Sequence, residues 1–253
     1  MNYSTTLNFN RFCVFIFSFL LIFAVFLSQA IALDAGCPTL RHGYGPFDYR
    51  TATQEQLNLV EGAHFFPNVE NLRDGTPHPN RGYAIVPGGE IDYTLRAFPN
   101  HHRALMALSR LSLRDKNERP NGVKANVDCY LQAAIKFRED DSYVYMVYGI
   151  HLLRKGKGQE AMVQFDKSKE LGDDSANLHY NLGLAYFQAK RFDDALVYAH
   201  KAYAAGFPLM GLKNMLLRSG KWKDMPPEVK LPAAVEARPS ETVIAEPVGA
   251  KAP

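Results

Sequence analysis

SYVYMVYGIHLLRKGKGQEAMVQFDKSKELGDDS (residues 142–175) runs directly into ANLHYNLGLAYFQAKRFDDALVYAHKAYAAGFPL (residues 176–209), and the second string repeats the first at a fixed offset of 34. Gly149 recurs as Gly183, Ala161 as Ala195, and the ring of Tyr145 as that of His179. A period between roughly 20 and 50 residues marks stacked supersecondary units, each burying an apolar face against its neighbours. An architecture of that kind makes a surface and not a reaction centre.

The spacing predicts two helices per copy. Gly149 opposite Ala161, and Gly183 opposite Ala195, lets two helix backbones approach, while larger residues three and four places away supply the apolar stripe of a packed helix. Three or more units are generally needed for stability, so neighbours are expected on both sides. Downstream, residues 215–221 echo residues 151–157 at an offset of 64, the mark of a shortened first helix closed by Trp222. Upstream, residues 129–137 align 34 places before residues 163–171 and read as a second helix, with residues 101–113 as its first. The loop at residues 114–122 between them is longer than the turn inside either copy.

In the second copy Leu182, Gly183, Tyr186, Ala195, Ala202 and Pro208 stand where the tetratricopeptide pattern wants a large apolar residue, a small one, an aromatic, two small ones and a helix breaker. The stretch closely resembles a tetratricopeptide repeat, whose period is about 34 residues. The first copy is looser, with Tyr148, Gly149, Leu152, Ala161, Phe165 and Ser168 at the equivalent places. The resemblance implies that the first helices line a concave groove. In the first copy the groove positions are Tyr143, Met146, Ile150 and Leu153; in the second they are Asn177, Tyr180, Leu184 and Phe187, with Asn181 beside them. An apolar, aromatic groove with a few amides suits an extended peptide or a partner helix, unless the chain's own N-terminal segment fills it. Met146 and Ile150 stand where carboxylate-clamping relatives carry Lys and Asn, which disfavours a clamp for a C-terminal carboxylate.

The N-terminus carries Arg11, an uncharged run from Phe12 to Leu27, then Ser28-Gln29-Ala30-Ile31-Ala32. A basic start, an apolar core and a small-x-small site describe a secretory signal peptide cleaved after Ala32. The stretch from Phe12 to Leu33 approaches the roughly 20 apolar residues of a membrane anchor, so a cleaved leader and an uncleaved anchor are both open, and either places the remainder outside the cytoplasm. Of three cysteines, Cys13 lies in this segment, leaving Cys37 and Cys129. An even count in an oxidising compartment favours a bridge over two separate buried thiols. Asp34 before Cys37 argues against a lipoprotein site, and no Asn-x-Ser/Thr sequon follows residue 32. Six prolines after Asp224 predict an extended, disordered tail.

Residues 33–100 read differently. Tyr44 to Tyr49 form a turn-rich aromatic run, and Thr53 with Gln56 starts a short helix with a capping box. Ile91, Tyr93, Leu95 and Ala97 alternate with polar residues after Pro87-Gly88-Gly89, which predicts a β-hairpin of residues 83–86 and 91–98. The run from Asp92 to Leu105, with the upstream aromatic run, looks like a group of exported bacterial tetratricopeptide proteins, a likeness that brings no activity with it. Glu61, His64, Glu70, Asp92, His101 and His102 offer acid-base or metal-ligand chemistry, and Glu61-x-x-His64 shares a helix face. Their spacing matches no metal motif, and satisfied polar residues at a structural junction are the simpler reading.

The expected architecture is therefore mainly α: a leader or anchor (1–32), an irregular region with a β-hairpin (33–100), a short helical solenoid (101–223) and a proline-rich tail (224–253). A near-balanced net charge of +3 lacks the basic stripe of a nucleic-acid binder. No nucleophile elbow, P-loop or dinucleotide fingerprint occurs, and no cofactor is expected. The expected role is non-enzymatic: a periplasmic or membrane-tethered scaffold that binds a peptide or helix of another envelope protein. The alternative is a metal-binding protein or enzyme using Glu61, His64, His101 and His102.

Overall fold

A computed structural model describes residues 37–40 and 43–224, and the chain divides into two units, residues 1–39 and 40–253. The readings of residues 1–32 as leader or anchor and of residues 225–253 as a tail lie outside the described residues. The second unit holds ten described helices: α1 (Gln54–His64), α2 (Pro67–Glu70), α3 (Pro87–Ala97), α4 (His102–Asp115), α5 (Val127–Phe137), α6 (Ser142–Arg154), α7 (Gly158–Glu170), α8 (Ala176–Gln188), α9 (Phe192–Ala204) and α10 (Gly211–Arg218). No helix among the described residues is long and apolar enough to cross a membrane.

The 34-residue period survives at every helix end of the two copies. Helices α6 and α8 start at Ser142 and Ala176, α7 and α9 at Gly158 and Phe192, and each of the four is 13 residues long. Burial keeps the same register. Helix α7 buries Ala161, Phe165 and Ser168, and α9 buries Ala195, Ala199 and Ala202 at the corresponding positions. That i, i+4, i+7 stripe is the one-sided face of an amphipathic helix. Helices α6 and α8 are instead buried almost all round, from Val144 to Leu153 and from Leu178 to Ala185, as expected of helices with neighbours on several sides. They pack on α7 and α9 respectively, while α6 also meets α4 and α5, and α8 also meets α7 and α10.

The glycines act with different partners in the two copies. A Cβ on Gly149 would lie 2.4 Å from the Phe165 ring, so α7 presses an aromatic edge onto α6. Ala199 stands at the Phe165 position in the second copy, and the space over Gly183 is taken by Leu212 of α10, whose Cδ2 would be 2.4 Å from the added Cβ. In both copies the nearest neighbour of the glycine is thus a large side chain, and in the second the Ala195 carbonyl oxygen follows at 3.4 Å. The last helix is short, and Trp222 packs against His200 and Tyr203 of α9, with ring centroids 4.6 and 6.2 Å away.

The β-hairpin is overturned. Residues 91–98 belong to α3 and its C-cap, and among the described residues the pairing of extended backbone is a single antiparallel bridge between Pro77 and Ala84. Pro87 begins the helix, at a position where a missing N–H costs nothing. Ile91, Leu95 and Phe98 are buried at the helical spacing i, i+4, i+7, while Tyr93, one of the alternating residues, is only half-buried. Gly88 is a contact residue and not a turn: a Cβ there would meet the Asn121 carbonyl oxygen at 2.0 Å.

Other expectations match. Thr53 and Gln56 form the capping box of α1, with Gln56 N–H donating to Thr53 Oγ1 at 3.2 Å and Thr53 N–H donating to Gln56 Oε1 at 2.9 Å. Helices α4 and α5 occupy the segments read as a degenerate upstream hairpin. The aromatic run folds onto α3, where Tyr44, Phe47 and Tyr49 pack around Val60, Ala97 and Phe98. Cys37 and Cys129 are disulfide-bonded, the state expected of an oxidising, extracytoplasmic compartment.

Candidate functional site

Two sets of residues were candidates, and the fold treats them differently. On the line of first helices, Met146, Ile150, Leu153, Tyr180, Asn181 and Leu184 are buried, while Tyr143, Asn177 and Phe187 are half-buried. The Tyr180 ring stacks on Phe207 with centroids 4.1 Å apart. Asn181 Nδ2 donates to the Asn177 carbonyl at 2.8 Å and to Asn177 Oδ1 at 2.9 Å, which fixes both amides. The Phe187 ring sits edge-on to Phe192 at 5.3 Å, and Tyr143 stacks on His102 at 4.2 Å. Six of the nine side chains thus belong to the packing between helices, and Tyr143, Asn177 and Phe187 keep surface for a partner.

The histidines and carboxylates are brought close, but into separate pairs. His101 is fully buried and caps α4: its Nδ1 accepts from Ala104 N–H at 3.2 Å, so its Nε2–H donates to Glu61 Oε1 at 3.0 Å. Burial pushes its pKa below the ordinary value, against the pull of Glu61, and the Nδ1 acceptor role requires the same neutral ring. Burial works against the Glu61 carboxylate, yet the His101 hydrogen bond and the Arg103 charge outweigh it and hold its pKa down. Glu70 pairs with Arg103. His64 Nδ1 lies 2.6 Å from Glu90 Oε2, and its ring stacks on Tyr93 at 3.8 Å. Burial lowers the His64 pKa, opposed by Glu90. Asp92 receives Arg96 at 3.0 Å and the hydroxyl of Tyr130; burial and then this carboxylate push the tyrosine well above its usual range.

His102 belongs to a third cluster, built on Asn100. Tyr49 N–H donates to Asn100 Oδ1 at 2.9 Å, and Asn100 Nδ2 donates to Asp48 Oδ1 at 2.7 Å and to Asp141 Oδ2 at 2.8 Å. His102 Nε2 reaches both Asp141 oxygens at 3.0 Å. Arg50 and Arg138 close on Asp48 at 2.9 and 2.7 Å. Burial alone would raise both aspartates; the hydrogen bonds of Arg50 and Asn100 on Asp48, and of His102 and Asn100 on Asp141, bring them below the ordinary carboxylate value. Segments 48–50, 100–102 and 138–141 are thereby tied together. Buried charges held by this many partners position elements, and the committed lone pairs and protons leave little for reaction chemistry.

The four residues Glu61, His64, His101 and His102 therefore do not converge on one centre; each imidazole has its own carboxylate. Asp48, Asn100 and Asp141 escaped the sequence reading because Asn100 lies 52 residues from Asp48 and 41 from Asp141, beyond any local motif. Three other residues, Glu118, Asp128 and His151, do converge, with one ligand atom of each within 4.8 Å of the others. A scan against protein-family models and a search of curated proteins find no match to this chain.

Proposed function

We propose that this chain is an exported binding module of the tetratricopeptide type, a short helical solenoid that receives a segment of another cell-envelope protein. The observation that carries the reading is the shared register of α6–α7 and α8–α9, in which helix ends and buried positions of the second helices recur at 34 residues. The disulfide-bonded cysteines support an extracytoplasmic site of action. The contact residues are Tyr143, Asn177 and Phe187, half-buried side chains on the first helices that offer two aromatic faces and an amide. The partner is a protein or peptide, and the near-balanced charge supports no role in nucleic-acid binding.

The test is affinity purification from envelope extract with the wild type and a Phe187→Ala, Asn177→Ala double variant, both checked for unchanged helicity. Loss of the same recovered band in the variant is expected. Equal recovery removes recognition on this face. The enzyme or metal reading through Glu61, His64, His101 and His102 has less support, because each group is already satisfied by a neighbour.

A further inference from the structure

Helix α6 carries a side chain that the binding-module reading does not use. His151 is fully buried, its Nδ1 lies 2.9 Å from Ser109 Oγ on α4, and its Nε2 has no hydrogen-bond partner. Nε2 points at Asp128 of α5, 3.8 Å from Oδ1, an oxygen that is itself buried and unpartnered. A buried nitrogen and a buried oxygen facing each other with nothing between them are costly to leave so. The second copy has Ala185 where the first has His151, so the feature is specific to one repeat.

A third donor comes from the long α4–α5 loop. Glu118 is anchored there by its main chain, whose carbonyl accepts from Val127 N–H at 3.0 Å. Its carboxylate completes the group of three with His151 and Asp128. Two donors bound tetrahedrally to one ion at about 2 Å each lie about 3.4 Å apart, so the 3.8 Å between Nε2 and Oδ1 needs a change of only a few tenths of an ångström. Ser109 plays the part of the partner that fixes a ligating ring through its other nitrogen. Lys155 Nζ lies 2.8 Å from Glu118 Oε2 and 3.5 Å from Asp128 Oδ2, a positive charge on an oxygen of each of the same two carboxylates.

We propose that Glu118, Asp128 and His151 form a binding site for a divalent transition-metal cation of the zinc class, with the Lys155 ammonium as its built-in competitor. One imidazole and two carboxylates suit such a cation. The Glu118 side chain is 52% exposed, so water has access to the site and can complete the shell. The site ties the long loop to α5 and α6, and metal binding stabilises the native state by mass action.

The experiment is a zinc titration of the chelator-stripped, full-length exported protein against a chromogenic competitor. A single saturable equivalent is expected. Asp128→Asn and His151→Ala each weaken it by roughly tenfold or more, a loss that even changes to residues hydrogen-bonded to a ligand can reach. Lys155→Met strengthens it. Because His151→Ala opens a cavity, Glu118→Gln on the exposed rim is the decisive variant: it keeps the wild-type circular dichroism and thermal midpoint without metal, and loses zinc affinity. No saturable binding by the wild type, or wild-type affinity retained in Glu118→Gln and Asp128→Asn, overturns the proposal.

Discussion

The two halves of the second unit are held together by different physics. From Ser142 to Ala204, α6 to α9 rely on apolar burial, and the side-chain hydrogen bonds across the first hairpin reduce to a few such as Ser168 Oγ to the Ser142 carbonyl at 2.8 Å. The second copy has alanine at both positions and does without that bond. From Asp48 to Asp141 the chain adds to its apolar core a set of buried ion pairs and hydrogen bonds between residues about 40 to 50 places apart. A repeat needs only a neighbour of the same shape, because its interfaces are generic. An irregular region has no such neighbour, and specific polar partners fix its register.

The sharpest way to break this contrast is at Asn100. Replacing it with alanine leaves Asp48 and Asp141 without a shared donor in a buried site, and hydrogen bonds to charged groups contribute about 1.5–3 kcal/mol each. A loss on the order of 3 kcal/mol or more in urea unfolding is expected, larger than for any surface change in the repeats. A loss below about 1 kcal/mol contradicts the polar account of the first half.

Next in size is Gly149→Ala. The new methyl meets the face-locked Phe165 ring, and overpacking of a tight core costs about 1–3 kcal/mol. Gly183→Ala meets the rotatable end of Leu212, so a smaller loss is expected, offset in part by the roughly 1 kcal/mol helix preference of alanine over glycine. Adding Phe165→Leu to Gly149→Ala recovers stability if the ring contact is the cause. Equal effects at the two glycines would mean that the copies pack alike.

A smaller effect is the pH dependence of a single buried histidine of the first half. His101 has its pKa lowered from 6.5 by burial, so the neutral ring is the one the fold favours. Its contribution is fully present above about pH 6.5 and is lost as pH falls toward the folded-state value. The thermal midpoint of the whole chain should decline on acidification through this window. His101→Gln, which can still cap α4 and donate to Glu61, flattens the slope; an unchanged slope contradicts the assignment. Smallest of all, Val163→Ser and Val197→Ser change stability by no more than about 0.5 kcal/mol, because these equivalent side chains of α7 and α9 are 64% and 52% exposed.

The contrast also explains what the sequence discloses. Periodicity reports apolar burial, so the helix pairs α6–α7 and α8–α9 and the upstream pair α4–α5 were legible from the 34-residue echo around Gly149 and Gly183, and the cap helix from the echo at an offset of 64. Thr53 and Gln56 revealed α1 because a capping box is local. Alternation misled at residues 91–98, where polar Asp92, Thr94 and Arg96 look outward-facing on a strand. Asp92 and Thr94 are in fact buried, Asp92 against Tyr130 and Thr94 through its hydroxyl on the Glu90 carbonyl at 2.9 Å. Pro87 at the start of a helical i, i+4, i+7 set was the better signal. The histidines of the first half were visible as residue types, but their partners Glu90, Asp141 and Glu61 depend on tertiary approach. The groove residues illustrate the reverse limit: a family register assigns a face, and in this chain neighbouring packing claims Met146, Ile150 and Tyr180 for the core.

The most direct measurement places a photo-crosslinking amino acid at Phe187, on the proposed contact face, and separately at Val163 and Val197, exposed on the second helices, in cells making the protein. A discrete protein adduct from position 187, absent from positions 163 and 197, is the result expected of a binding module with one working face. Adducts equal at all three positions, or none at 187, contradict it.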